Sequence, residues 1–212
     1  MSEDNGLTID TCFVERLSSG DPTPGGGAAS AYCGALAGAC ASMVANLTYA
    51  NDKFDSIRGA LEASVNRLNE INSDLLILVD EDAKSFEPVA KAMKLPKGEL
   101  RNKKMDDALV FACSVPLEIM QKCIDVIEEC DYLAENGAKL AVSDVGCAAL
   151  MAKAALVSAS LNVYVNVRLF SDVAKAAQFK ALADNLCEDG VRAADAVYGS
   201  VADKIDAYRL VQ

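Results

Sequence analysis

The stretch PTPGGGAASAYCGALAGACASMVANLTYAN, residues 22–51, decides the fold. It opens on turn residues and then keeps small side chains at a four-residue spacing: Gly26, Ser30, Gly34, Gly38 and Ser42. That spacing is close to one helical turn, so the five positions form a ridge along one helix. Small side chains on a ridge let another helix axis approach closely, within a subunit or across a dimer interface. The neighbouring row, Ala29, Cys33, Ala37 and Ala41, is nearly as small, which puts this helix in the centre of a bundle. The segment carries no charge and is long enough to span a bilayer. Its bulk, however, is Ala, Gly, Ser and Cys, and the rest of the chain reads as soluble. A buried core helix is the expectation, and a membrane is not an expected partner.

Working outward, residues 8–17 read as a short first helix. On the other side, Phe54, Ile57, Leu61, Val65, Leu68, Ile71, Leu75, Leu78, Phe86, Val89 and Met93 recur as a sustained helical stripe. Pro88 is expected to kink that helix near its end. The LPKGEL stretch reads as a loop, followed by a helix over residues 102–131 kinked near Pro116. Beyond Asn136 and Gly137, Ser143 and Asp144 look like the start of a further helix, since both types cap orphan amide donors. Residues 146–167 continue it as another small-residue helix, and residues 172–208 read as one or two amphipathic helices with a break near Gly190. With 52% hydrophobic residues but only 6% aromatic, the core is built from Ala, Val, Leu and Ile, which favours close-packed helices. The fold class is therefore all-α: a multi-helix bundle with long central helices, read as one domain over residues 1–212.

Thirty-one acidic against twenty basic residues leave a net charge of −11, which repels polyanions and excludes nucleic acid as an expected partner. There is no histidine, so acid–base work falls to carboxylates, Lys, Tyr, Cys or water, and a histidine-ligated zinc is excluded. No metal is expected. The eight cysteines include no C-x-x-C pair and fall mostly in apolar helical patterns, which suits a reducing cytoplasm. No basic segment leads into an early apolar run, so a cleaved leader is not expected.

Asp82 interrupts the stripe of residues 54–93 near its middle, whereas Asp80 points to the far side and Glu81 lies off its edge. A carboxylate facing a core is desolvated and gains proton affinity, as a catalytic acid or base requires. A buried Asp held by a helix dipole or a Lys reads the same way. The turn at Pro24–Gly27 precedes a helix, so its amides can hold an anion or the polar edge of a ring, or the glycines simply permit chain reversal. Ser143 and Asp144 are equally explained by capping. Asn162 and Asn166, four residues apart on an apolar helix, either bind a ligand or bridge helices. Asp144 and Asn162 share a face but stand about 27 Å apart along a straight helix, so one small site in one subunit cannot take both. Lys91, Lys94, Lys97, Arg101, Lys103 and Lys104 crowd fourteen residues whose only acid is Glu99, a place for a polyanionic tail or a solvated basic loop.

Four separated segments, PTPGGGAASAYCGALAGACASMVANLTYA, LVDEDAKSFEPVAKAMKLPK, VPLEI and GAKLAVSDVGCAALMAKAALVSASLNVYVNV, together resemble the cyclodeaminase/cyclohydrolase family of folate enzymes. The likeness covers residues 22–169, in the expected order. It implies an all-helical bundle that dimerises, and a folate site near the glycine turn, the D-E-D-A helix and the S-D helix start. Carried over residue by residue, it points to Gly25, Gly26, Gly27, Asp82, Ser143, Asp144, Asn162 and Asn166, with Asp82 catalytic and the others binding substrate. Lys94, Lys97 and Arg101 join them as a seat for the glutamate tail. Many relatives carry Asn shortly after the glycine of the last loop, where this chain has Ala138 and Leu140 after Gly137; the departure leaves the reaction subtype open.

The implied chemistry suits a chain without histidine. In the cyclohydrolase reaction, water attacks the amidinium carbon of methenyl-tetrahydrofolate and ring opening yields formyl-tetrahydrofolate. In the cyclodeaminase reaction, a ring nitrogen attacks the formimino carbon and ammonia leaves. Both pass through a tetrahedral aminal that a carboxylic group can serve, with no cofactor beyond the tetrahydrofolate substrate. The mammalian-type enzyme carries a formiminotransferase beside its cyclodeaminase, and this chain is too short to include one, so cyclohydrolase is the first expectation, cyclodeaminase the second, and a non-enzymatic helical scaffold the third. A cytoplasmic homodimer acting on a folate is the expected whole.

Overall fold

A computed structural model of the chain describes residues 11–209. Among the described residues there is no strand, and six α-helices form the all-α bundle: α1 Cys12–Leu17, α2 Gly26–Tyr49, α3 Arg58–Met93, α4 Glu99–Asn136, α5 Val142–Val167 and α6 Val173–Arg209. The expected start of the first helix at residue 8 lies outside the described residues. Two short 3-10 turns, Asp52–Ile57 and Lys139–Ala141, lead into α3 and α5. Short connections make successive long helices antiparallel, so the start of α2 meets the last third of α3 and the end of α5.

The ridge of α2 faces inward. Ser30, Gly34, Gly38 and Ser42 are all buried. A Cβ at Gly34 would lie 3.0 Å from Cys123 Sγ on α4 and 3.2 Å from Leu75 Cδ2 on α3, and one at Gly38 would lie 2.0 Å from Asn72 Oδ1. The close approach is thus within the subunit. Cys33 of the neighbouring row turns to α5, as does Cys40 one helical face further on: their thiols donate to the carbonyls of Met151 and Asp144. By length and composition α2 and the segment Lys139–Val167 could each cross a membrane; in the structure both pack into the bundle.

Around α2 the core is filled by Leu61, Leu68 and Leu75 of α3, Ile119, Met120 and Ile127 of α4, and Leu156 of α5, all fully buried. Cys113, Cys123 and Cys130 join them as small hydrophobes; burial pushes the Cys113 and Cys130 thiols up to about 12 and raises Cys123 as well. One buried carboxylate, Glu129, is held by Ser64 Oγ at 2.5 Å and by Arg67 at 3.2 Å, which answers the cost of burying its charge.

Three elements differ from the sequence reading. The last helix runs through Gly190 without a break, because there glycine makes room for packing: a Cβ would sit 2.4 Å from Leu156 Cδ2 and 3.0 Å from Ile124 Cγ1. Ser143 and Asp144 do not cap α5; the chain enters through the 3-10 turn, Ala141 is the cap residue, and both lie in the first turn. Helix α4 is longer than residues 102–131 at both ends. Pro88 and Pro116 both sit inside continuous helices.

Helices α3 and α4 outrun α2. From Asp82, opposite the start of α2, helix α3 continues to Met93, about 16 Å at 1.5 Å per residue. This projecting hairpin has its own small core of Val89, Ala92, Met105, Ala108, Leu109 and Ala112, closed by Phe170.

Candidate functional site

At the base of that hairpin the start of α2 and the side of α3 meet. The glycine run lets the chain enter α2 from an extended Gly25 after a cis Thr23–Pro24 peptide. Helix α2 has no side-chain cap of its own. Its cap comes from another helix: Ala28 N–H donates to Asp82 Oδ2 at 2.9 Å. The carboxylate lies so close to the backbone that a Cβ at Gly27 would fall 2.0 Å from Asp82 Oδ1 and 2.5 Å from its Cγ. Only glycine fits there.

Two forces act on the Asp82 carboxyl. Burial pushes its pKa above the ordinary aspartate value, while the Ala28 amide, at the positive end of α2, pulls it down. Burial is the larger, and the net direction is up. Asp82 is therefore both a helix cap and a carboxyl of raised proton affinity. Asp80, two residues back, is exposed as its stripe position required.

Asp82 opens onto a cleft of about 250 Å³. Gly25, Gly26, Asn162 and Asn166 line it with Asp82, so five of the positions marked in the sequence come together; Gly27 lies directly behind the carboxylate. The cleft also uses Ser85 and Phe86, which the sequence reading did not assign to a site. Phe86 belongs to the apolar stripe of α3, yet it is 41% exposed and lines the cleft. Its signal was spacing: four residues after Asp82 it shares that face of the helix. Ser85 is buried and donates to the Asp82 carbonyl at 2.8 Å.

Ser143 and Asp144 lie at the other end. Helix α5 is unbroken from Val142 to Val167, so the rise per residue separates Asp144 from Asn162 by about 27 Å. Ser143 instead borders a groove with Cys147, Tyr198 and Ile205, and Leu140, one of the two departures from the family pattern, is fully exposed nearby. Within one subunit these residues do not reach the cleft.

A second cleft, of about 540 Å³, lies near the tip of the hairpin and is lined by Met93, Lys97, Arg101, Asn102, Met105 and Leu169 among others. Along α3 and α4 it stands about 10 Å beyond the first, from Phe86 to Met93 and from Ala112 to Met105. Lys97 and Arg101 face it; Lys94 is exposed and is not part of its lining. Among the described residues, no three Cys, Asp or Glu side chains converge as a metal ligand set.

Fold and cleft define a class: a helical bundle that sets a desolvated carboxyl against a glycine-opened helix start. The chain belongs to the formiminotransferase-cyclodeaminase family, whose pattern matches residues 10–185. It is 36% identical over 205 residues to methenyltetrahydrofolate cyclohydrolase of Methylorubrum extorquens, covering 94% of this chain and 98% of that protein. Formimidoyltransferase-cyclodeaminase of Mus musculus is 30% identical over 165 residues, which span 76% of this chain and 30% of that longer protein. The crystal structure of formiminotetrahydrofolate cyclodeaminase from Thermotoga maritima superposes with a TM-score of 0.80 at 29% identity, covering 92% of this chain and 94% of that one.

Proposed function

We propose that this protein hydrolyses methenyl-tetrahydrofolate to formyl-tetrahydrofolate in the cleft at Asp82. The carrying observation is the pairing of that carboxyl with the end-to-end likeness to a methenyltetrahydrofolate cyclohydrolase. Water adds to the electrophilic carbon between the two folate nitrogens, and the Asp82 carboxylate takes the proton it sheds. The resulting aminal collapses: its C–O–H becomes the formyl carbonyl, the bond to one ring nitrogen breaks, and that nitrogen accepts a proton from Asp82. One proton is released overall. The folate is the only cofactor-like group this scheme uses.

Cyclodeamination is the second reading, favoured by the likeness to the Thermotoga maritima enzyme. One experiment separates the two: purified protein is given methenyl- and formimino-tetrahydrofolate in separate reactions, following loss of methenyl absorbance and release of ammonia. Asp82→Asn should lower turnover by about 100-fold or more, the usual scale for a lost general acid–base, with the helical content unchanged. Near-normal turnover by the folded variant removes Asp82 from the mechanism.

The second cleft is the seat we assign to the glutamate tail, with Lys97 and Arg101 as its cations. We assign the protein to the cytoplasm, in keeping with eight cysteines and no disulfide among the described residues. We also assign it a homodimer. Leu36, Met43 and Leu47 of α2 and Leu150, Val157, Leu161 and Val165 of α5 are exposed on neighbouring antiparallel helices at helical spacings, forming an apolar face. Such a face fits a second copy, whose own face is equally uncharged. Val165 belongs both to this face and to the cleft, so the partner would border the site. A twofold axis that sets α5 antiparallel to its copy brings each Ser143–Asp144 turn toward the other subunit's Asn162–Asn166 end. That is how residues some 27 Å apart in one chain can serve one folate.

A further inference from the structure

Proline at position 116 has no amide hydrogen, so the carbonyl oxygen one turn back in α4, that of Ala112, lacks its helical donor. A carbonyl left unpaired in a protein interior is costly. Here a side chain from another helix supplies the bond: Asn166 Nδ2 donates to Ala112 O at 2.8 Å. Because a carbonyl can only accept, the chemistry fixes which way the amide lies, nitrogen on α4 and oxygen away from it. Ala112 and Asn166 both line the cleft that holds Asp82. Asn162 contrasts with this, since its nitrogen reaches only its own helix, at 3.3 Å from Ser158 O.

We propose that Pro116 is a positioning residue for the cleft: the amide it removes from α4 frees the Ala112 carbonyl, which anchors the Asn166 nitrogen and presents the Asn166 oxygen to the ligand as a fixed acceptor. A fixed acceptor selects a ligand edge that carries N–H, as a pterin ring amide or exocyclic amine does, and disfavours one that carries a carbonyl. The inference rests on reading the cleft as the folate site.

Pro116→Ala returns an N–H to the place where it can bond Ala112 O, and alanine suits a helix, so the fold should persist. In the ligand-free wild type, NMR should find one Asn166 side-chain amide proton protected from exchange, and Pro116→Ala should abolish that protection. With methenyl-tetrahydrofolate, the variant should raise KM about three- to tenfold, the range for one lost hydrogen bond, with kcat changed less. Asn166→Asp sets oxygen against oxygen at Ala112, so it should cost more in the wild type than in the Pro116→Ala background, where the new N–H has already satisfied that carbonyl. A purely structural role for Pro116 gives additive losses instead.

Unchanged exchange in Pro116→Ala overturns the anchor. Altered exchange with unchanged KM overturns presentation to the ligand, while a still-inactive Asp82→Asn keeps the catalytic reading in place. If Pro116→Ala does not fold, the wild-type exchange decides alone, and two equally unprotected protons overturn the proposal.

Discussion

Asp82 performs two tasks that pull its proton affinity in opposite directions. As the cap of α2 it gains from being ionised; as a carboxyl removed from water it gains from being protonated, and the second effect is larger. The consequence for stability follows in sign. A carboxyl whose pKa is higher in the folded than in the unfolded chain binds more protons when folded, so stability is lost as pH rises from the unfolded value toward the folded one. Above that folded value the ionised Asp82 is therefore a net burden on the fold. Asp82→Asn, which keeps an acceptor for Ala28 N–H, should raise Tm at pH 7, and the gain should close below about pH 4, near the unfolded aspartate value. Thermal melts at both pH values measure it, and a variant less stable at pH 7 than at pH 4, relative to wild type, contradicts the burial argument. The stripe position of Asp82 was legible in the sequence because a helix repeats its face every few residues. That the same carboxylate caps α2 was not, since the bond joins residues fifty-four apart in the chain.

Among the helices, α2 was read most fully, because small side chains at one-turn spacing mean close packing wherever the helix lies. The spacing could not say against what; the structure answers with α3 and α4. Gly38→Leu should therefore unfold the subunit, or at least cost about 1 to 3 kcal/mol from overpacking, instead of merely separating subunits. Circular dichroism melts with light scattering check this, and a folded monomer would place the ridge outside. Gly190 shows the limit of the same reasoning: glycine in a helical pattern signals a break or a notch, and only the neighbouring Leu156 and Ile124 distinguish them. The α3–α4 hairpin carries a test of the tail seat. Lys97→Gln with Arg101→Gln should weaken polyglutamylated folate more than the monoglutamate, increasingly at low salt. Lys94→Gln, which lies off the cleft lining, should change little, and equal losses for both substrates would assign the two cations to structure alone.

For the whole molecule, the separation of Ser143 and Asp144 from the cleft becomes a question about pairs of subunits. If each site takes Asp82 from one chain and the Ser143–Asp144 turn from the other, co-expressed Asp82→Asn and Asp144→Asn chains should recover about a quarter of wild-type activity through random pairing about a twofold axis. Inactive mixtures of well-formed dimers would refute the shared site, and a wild-type monomer at micromolar concentration would refute the dimer. Sequence patterns foresaw the bundle because helical periodicity is local, but the exposed apolar face stayed hidden: its side chains look like any core stripe until the subunit is seen to leave them uncovered. The buried cysteines have a further meaning at this scale. A thiol reacts as its thiolate, and those of Cys113, Cys123 and Cys130 are both shielded and held protonated by the surrounding helices. Their alkylation must wait for the helices to part, so the slow kinetics of labelling at these three positions would count how often the native bundle opens.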